Sequence, residues 1–259
     1  MIGRKFIRAL VFGTAGAGVQ VLAFLGILRP LLGLSETLAL ALALGGAAAA
    51  APFGAVVGWK HIYSLEPRAI WAFLLDVSWS AINTLTGLAW LLWCAFKGSY
   101  QPPTPDTRKR GIIVFSGAAM PGAAATTLGT VVGGEWLLHE AVHVQQARIF
   151  GPLYWPIYLT SYVSNVLARI LLLRVRDVHW ESYGRVVMED WAYRSTPHGH
   201  SAVERGPSAK WSAIALLHAL AILVMLAPVA GFALIPWWSG ALASFGYAFA
   251  RALRPKATS

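Results

Sequence analysis

The chain has 259 residues, of which 57% are hydrophobic and only 12% charged, with twelve Trp and a formal net charge of +10. About 20 apolar residues cross the hydrocarbon core of a bilayer as a helix, so this composition reads as a polytopic, mainly α-helical membrane protein. Its basic residues flank apolar runs, which marks cytoplasmic loops and anionic headgroup contact and argues against nucleic acid.

The first apolar run, Ala9–Leu28, follows Arg4, Lys5 and Arg8. It lacks a small-residue cleavage site and reads as a retained span. Ser35 is placed to cap the next helix, and Thr37–Gly58 is a second span whose Ala and Gly content suits close helix packing. Ala69–Phe96 is long enough to be a third but carries Asp76 and Asn83, which read as interhelical hydrogen-bonding groups. The single cysteine, Cys94, lies in this run and excludes an internal disulfide and a cysteine-rich zinc site.

"KGSYQPPTPDTRKRG" (Lys97–Gly111) is a loop at the water interface. "IIVFSG" and "ATTLGTVVGG", separated by the turn-rich "AAMPGAA", favour a short β-hairpin over a helix. A helix over Gly134–Phe150 follows, and then the apolar Gly151–Arg176, embedded or interfacial, with Asn165 and Arg169. The Trp and Tyr residues at 154–162 suit an interfacial belt, with a substrate-binding wall as the sharper alternative. "DVHWESYGRVVMEDWAYR" ends in a helix, a polar loop carries His198 and His200, and the apolar runs Trp211–Met225 and Val229–Ala250 close the chain. His218, alone in the first of these, reads as a satisfied interhelical residue. The basic segments all vote for the cytoplasm, yet three full spans would put Arg108–Arg110 opposite the N-terminus. One early run must fail to cross, and the one with Asp76 is the candidate. "GTAGAG" at 13–18 is no dinucleotide fingerprint, because no strand precedes it.

The polar exception is "EWLLHEAVHVQQARIFG", Glu135–Gly151. Residues four apart share a helical face, so His139 and His143 can reach one zinc ion at about 2.0–2.1 Å. Glu140 projects beside that ion, where it can act as general base on a water. A catalytic site needs a third protein ligand. The longer metzincin pattern would want Gly and His where Gln146 and Ile149 stand, and none of Asp76, Asp106, Asp177 or Asp190 precedes the Gly of an intramembrane site-2 protease. A downstream glutamate is left, Glu181 or Glu189.

HEAVH followed by the Glu-x-x-Ala of "MEDWAYR" resembles the gluzincin branch of zinc metalloproteases. In outline it is similar to the membrane-embedded CAAX prenyl endopeptidases and bacterial heat-shock proteases, and to small uncharacterised bacterial HExxH proteins. The resemblance covers about Gly111 to Arg194 and departs from that group at Tyr193, where an acid is expected. It implies zinc held by His139, His143 and Glu189, with Glu140 as general base. It also implies a strand before the motif helix, "ATTLGTVV", that pairs with extended peptide substrate. Asp190 could support a ligand histidine, and His179 or Tyr193 could steady an oxyanion.

The resulting division is a transmembrane hairpin (1–58), a third hydrophobic helix with a basic loop (59–111), a zincin-like core (112–205) and a C-terminal transmembrane hairpin with a basic tail (206–259). The expected activity is peptide-bond hydrolysis at the membrane surface, with the core on the cytoplasmic side of a bacterial inner membrane. The expected partners are a peptide or protein substrate and the bilayer, anionic lipids included. The rival reading is a non-enzymatic membrane scaffold with a structural metal. A solute carrier using Asp76 and His218 is weakened by the lack of paired half-repeats.

Overall fold

The computed structural model describes residues 2–121, 123–135, 137–170 and 178–196. The chain forms two compact units, the first Met1–Gly151 and the second beginning at Pro152. The expected spans Trp211–Met225 and Val229–Ala250, with His198, His200 and His218, lie outside the described residues.

In the first unit, helix α1 (Ile2–Val21) continues through a π-helical turn, Leu22–Leu28, into the short α2 (Arg29–Leu32). Ile2–Leu31 is thus one continuous apolar element, and Arg4, Lys5 and Arg8 lie on it rather than before it. Helix α3 (Glu36–Trp59) starts where Ser35 Oγ accepts the Leu38 N–H, so the expected cap is present. Both elements are long and apolar enough to cross a membrane. They pack antiparallel on small residues. A Cβ on Gly54 would lie 2.2 Å from the Phe12 carbonyl oxygen, on Gly58 2.4 Å from that of Arg8, and on Gly16 2.8 Å from that of Ala50. Without side chains at these crossings the backbones approach closely, which is how apolar helices attract without a hydrophobic driving force. The outer faces keep Phe6, Leu10, Leu40 and Leu44 exposed.

The third apolar run is broken. Helix α4 (Pro67–Asp76) and helix α5 (Ala81–Lys97) meet at 88°. The break falls on "DVSWS", where the polar groups are satisfied by tertiary partners. Thr84 Oγ1 donates to the Asp76 carbonyl at 2.7 Å, and Ser80 Oγ donates to that of Ala147 at 3.0 Å. The chain therefore returns to the end it left: Arg8 donates to the Tyr63 carbonyl, and the Ser64 N–H to that of Arg108. Arg108 and the basic start of α1 lie at one end of the α1–α3 pair.

Strands β1 (Ser99–Gln101), β2 (Ile113–Ser116), β3 (Ala125–Leu128) and β4 (Val131–Gly134) form a mixed sheet in the order β1-β2-β4-β3, with the short helix α6 (Pro105–Arg110) between the first two. The hairpin is internal to "ATTLGTVVGG": β3 and β4 pair antiparallel across Gly129–Thr130, with Gly129 at φ 58°. The expectation that "IIVFSG" also pairs as a hairpin arm is corrected, since β2 runs parallel to β4. Alternation on β4 sends Val131 to the main core with Phe53, Phe73 and Trp90, and Val132 to a smaller core with Ala141 and Val144. Helix α7 (Leu137–Phe150) carries the latter pair. Its described residues start at Leu137, and Gly134 ends β4 at φ 121°.

In the second unit a 3₁₀ turn reaching Leu153 leads into helix α8 (Tyr154–Ala168), followed by α9 (Val178–Tyr183) and α10 (Val187–Ser195). Asn165 of α8 donates to the Ser182 carbonyl, and Ser161 Oγ accepts the Val187 N–H.

Candidate metal centre

The motif helix α7 is held at both ends. At its C-terminus, where a helix leaves carbonyls unsatisfied, the α4–α5 bend supplies the donors. Asn83 Nδ2 donates to the Ala147 and Gly151 carbonyls at 3.3 and 2.8 Å, and Trp79 Nε1 to that of Ile149 at 3.1 Å. Arg148 is buried beneath them. Its Nε and one terminal nitrogen donate to the two Asp76 oxygens at 2.8 and 2.6 Å, and the guanidinium also reaches the Arg110 and Gly111 carbonyls. Tyr63 Oη completes the Asp76 carboxylate at 2.6 Å. Burial and then Asp76 push the Tyr63 phenol well above its usual 10 and keep it a neutral donor. Asp76, read from the sequence as a hydrogen-bonding residue, is the counter-charge that seats the motif helix.

At the N-terminal half, His139, Glu140 and His143 are each 5% exposed. The two histidines meet through their Nε2 atoms at 3.1 Å. Two zinc–nitrogen bonds of about 2.0–2.1 Å at a tetrahedral angle separate their nitrogens by about 3.3 Å, so the pair already has a ligand spacing. His143 Nδ1 lies 2.9 Å from Gln146 Oε1 on the next turn. The amide oxygen can only accept, so Nδ1 carries the proton and Nε2 keeps its lone pair for a cation. Glu140 reaches the sheet, where Thr127 Oγ1 of β3 donates to its Oε2 at 2.5 Å.

Glu189 is buried on α10 and accepts a hydrogen bond from Tyr158 Oη of α8 at 3.1 Å. Burial first, and then the Glu189 charge, raise the Tyr158 phenol well above its usual value, so it remains a donor. Part of the aromatic run at 154–162 thus serves the interior instead of a belt.

His139, His143 and Glu189 form a buried group that could hold a metal ion, each offering one ligand atom with all three within 4.8 Å of one another. Two imidazoles and a carboxylate are donor types that a divalent metal ion uses. The other expected residues lie on α9 and α10. His179, on α9, is exposed and shares a hydrogen bond with Tyr162 Oη at 2.9 Å. Tyr193 lies one turn beyond Glu189 on α10, half-buried. The Asp190 carboxylate pairs with Arg194 at 3.0 Å. The side chain of Glu181 lies outside the described residues.

Three neighbours of the site were not anticipated from the sequence: Thr127, Gln146 and Tyr158. Gln146 was within reach, because i+3 on a helix faces the ligand it supports. Thr127 and Tyr158 depend on tertiary placement. Comparison with protein-family models, with curated proteins and with solved structures finds no match to this chain.

Proposed function

We propose that the chain is a membrane-associated zinc metallopeptidase that hydrolyses peptide bonds at the bilayer surface, with His139, His143 and Glu189 as ligands. The observation that carries this reading is the buried two-histidine, one-carboxylate group with the Glu140 carboxylate on the residue next to His139. A bound zinc would supply Lewis acidity and bring the pKa of a water to about 7. On this reading Glu140 would be the general base for the attacking water and the acid for the leaving amine, with Thr127 Oγ1 holding its carboxylate. Tyr193 and His179 are the candidate donors to the oxyanion. The two apolar elements and their exposed outer faces support a bilayer location, with the α1–α3 pair spanning and the broken α4–α5 run entering without crossing. The basic N-terminal end of that pair would face the cytoplasm of a bacterial inner membrane.

The test is Glu140→Gln in the purified full chain, assayed on a mixture of fluorogenic peptides. Cleavage should fall at least ~100-fold while bound zinc is unchanged. Equal cleavage by the variant and the parent would refute the assignment. A second reading, a scaffold with structural metal, is favoured by the burial of all three motif side chains. It predicts stoichiometric zinc without peptidase activity in either protein, and loss of folding on chelation.

A further inference from the structure

A second polar site lies at the basic end of the α1–α3 pair. Arg8 of α1, His61 and Ser64 of the α3–α4 connection and Arg108 and Lys109 of α6 line a cavity of about 350 Å³, with Glu66 as its single acid. Lys109 reaches Glu66 only across 3.8 Å, and both side chains are about half exposed. Among the described residues the two arginines have no such partner. There, too, Arg8 Nε, Arg108 Nε and the Ser64 hydroxyl are buried and find no hydrogen-bond partner. Arg8 spends one terminal nitrogen on the Tyr63 carbonyl. Buried donors on charged groups are costly to leave unsatisfied, and two of them converging with a hydroxyl describe an anion's complement.

His61 adds an independent sign. It is the only described non-glycine residue with positive φ, at 57°. Left-handed backbone in a residue with a side chain is held by its surroundings and recurs at ligand clamps. Burial, then Arg8 and Arg108, lower the His61 pKa, so without an anion the ring is neutral beside two fixed positive charges.

We propose that this cavity binds a phosphate group, clamped by Arg8 and Arg108 with Ser64 donating and the His61 ring beside it. Arginine forks suit the tetrahedral oxyanion, and a cavity of this size admits one headgroup. The group can come from an anionic phospholipid or from free phosphate. The position favours the lipid, since the cavity caps two elements apolar enough to span a bilayer and sits at their basic end.

The experiment uses the full chain with ¹³C-labelled histidine in sugar-headgroup detergent micelles, with the His61 resonance identified from His61→Gln. Phosphatidylglycerol is titrated into the micelle, and inorganic phosphate into the buffer. The proposal expects a saturable shift of the His61 signal, with affinity about tenfold lower in Arg108→Gln and also reduced in Ser64→Ala. Saturation by phosphatidylglycerol alone identifies a lipid site, and by inorganic phosphate a soluble one. No shift with either ligand overturns the proposal. So does a shift of the same affinity in the wild type and both variants, which would mark diffuse surface charge. Ser64→Ala removes one hydroxyl, so the test stands even if Arg108→Gln fails to fold.

Discussion

The seat of the motif helix can be broken at one ion pair. The Asp76 and Arg148 side chains are 2% and 4% exposed, and they bond through both carboxylate oxygens. Two unit charges about 4 Å apart at an effective dielectric of 20 attract by about 4 kcal/mol. Asp76→Asn removes the negative charge and leaves the buried guanidinium with neutral acceptors only, the remaining amide oxygen and the Arg110 and Gly111 carbonyls. Removing one member of such a pair costs about 3–5 kcal/mol, because the survivor stays buried and uncompensated. Arg148→Met should cost a similar amount, leaving Asp76 with the Tyr63 hydroxyl. The double variant buries no lone charge and should cost clearly less than the sum. Unfolding of the four proteins in mixed micelles, followed by tryptophan fluorescence, gives the cycle. Single-variant losses below about 1 kcal/mol, the range of a surface pair, would refute the reasoning, as would strict additivity.

Burial of Tyr63, and then the same carboxylate, make stability depend on alkaline pH. The Tyr63 pKa is raised on folding, so its contribution is complete below pH 10 and is lost as pH rises toward the folded value. Tyr63→Phe should flatten the fall in unfolding free energy above pH 10, and an unchanged slope would contradict the assignment. Gly54→Ala would drive a methyl into the Phe12 backbone and part α1 from α3. A melting temperature unchanged from wild type would show that the close crossing is not needed. Gln146→Leu should weaken zinc binding about 10–100-fold in competition with a chromophoric chelator, since the His143 ring loses its orienting acceptor. Equal affinity would mean that the amide plays no part.

Much of this was legible in the sequence where a local rule governs. The Ser35 cap, the small-residue packing of the second apolar run and the helical HEAVH spacing each follow from neighbours a turn apart. The broken third run was half legible: Asp76 signalled trouble for a straight span, but the 88° turn depends on Arg148, seventy-two residues away. The parallel pairing of β2 with β4 was hidden for a related reason. Alternation fixes which face a strand buries and not which neighbour it takes. β1 is only three residues, exposed at both ends, and no periodicity reveals its pairing with β2. At the site, the two histidines and Glu140 fall within one five-residue motif and could be read directly. The choice of Glu189 rested on a resemblance, and the Tyr158 hydroxyl that bonds its carboxylate left no trace in the spacing.

The most direct test is elemental analysis of the purified full chain beside His143→Ala and Glu189→Gln, all three checked for folding by circular dichroism. The account predicts one zinc per wild-type chain and its loss from both variants. A wild type without metal, or zinc retained in full by either folded variant, would contradict it.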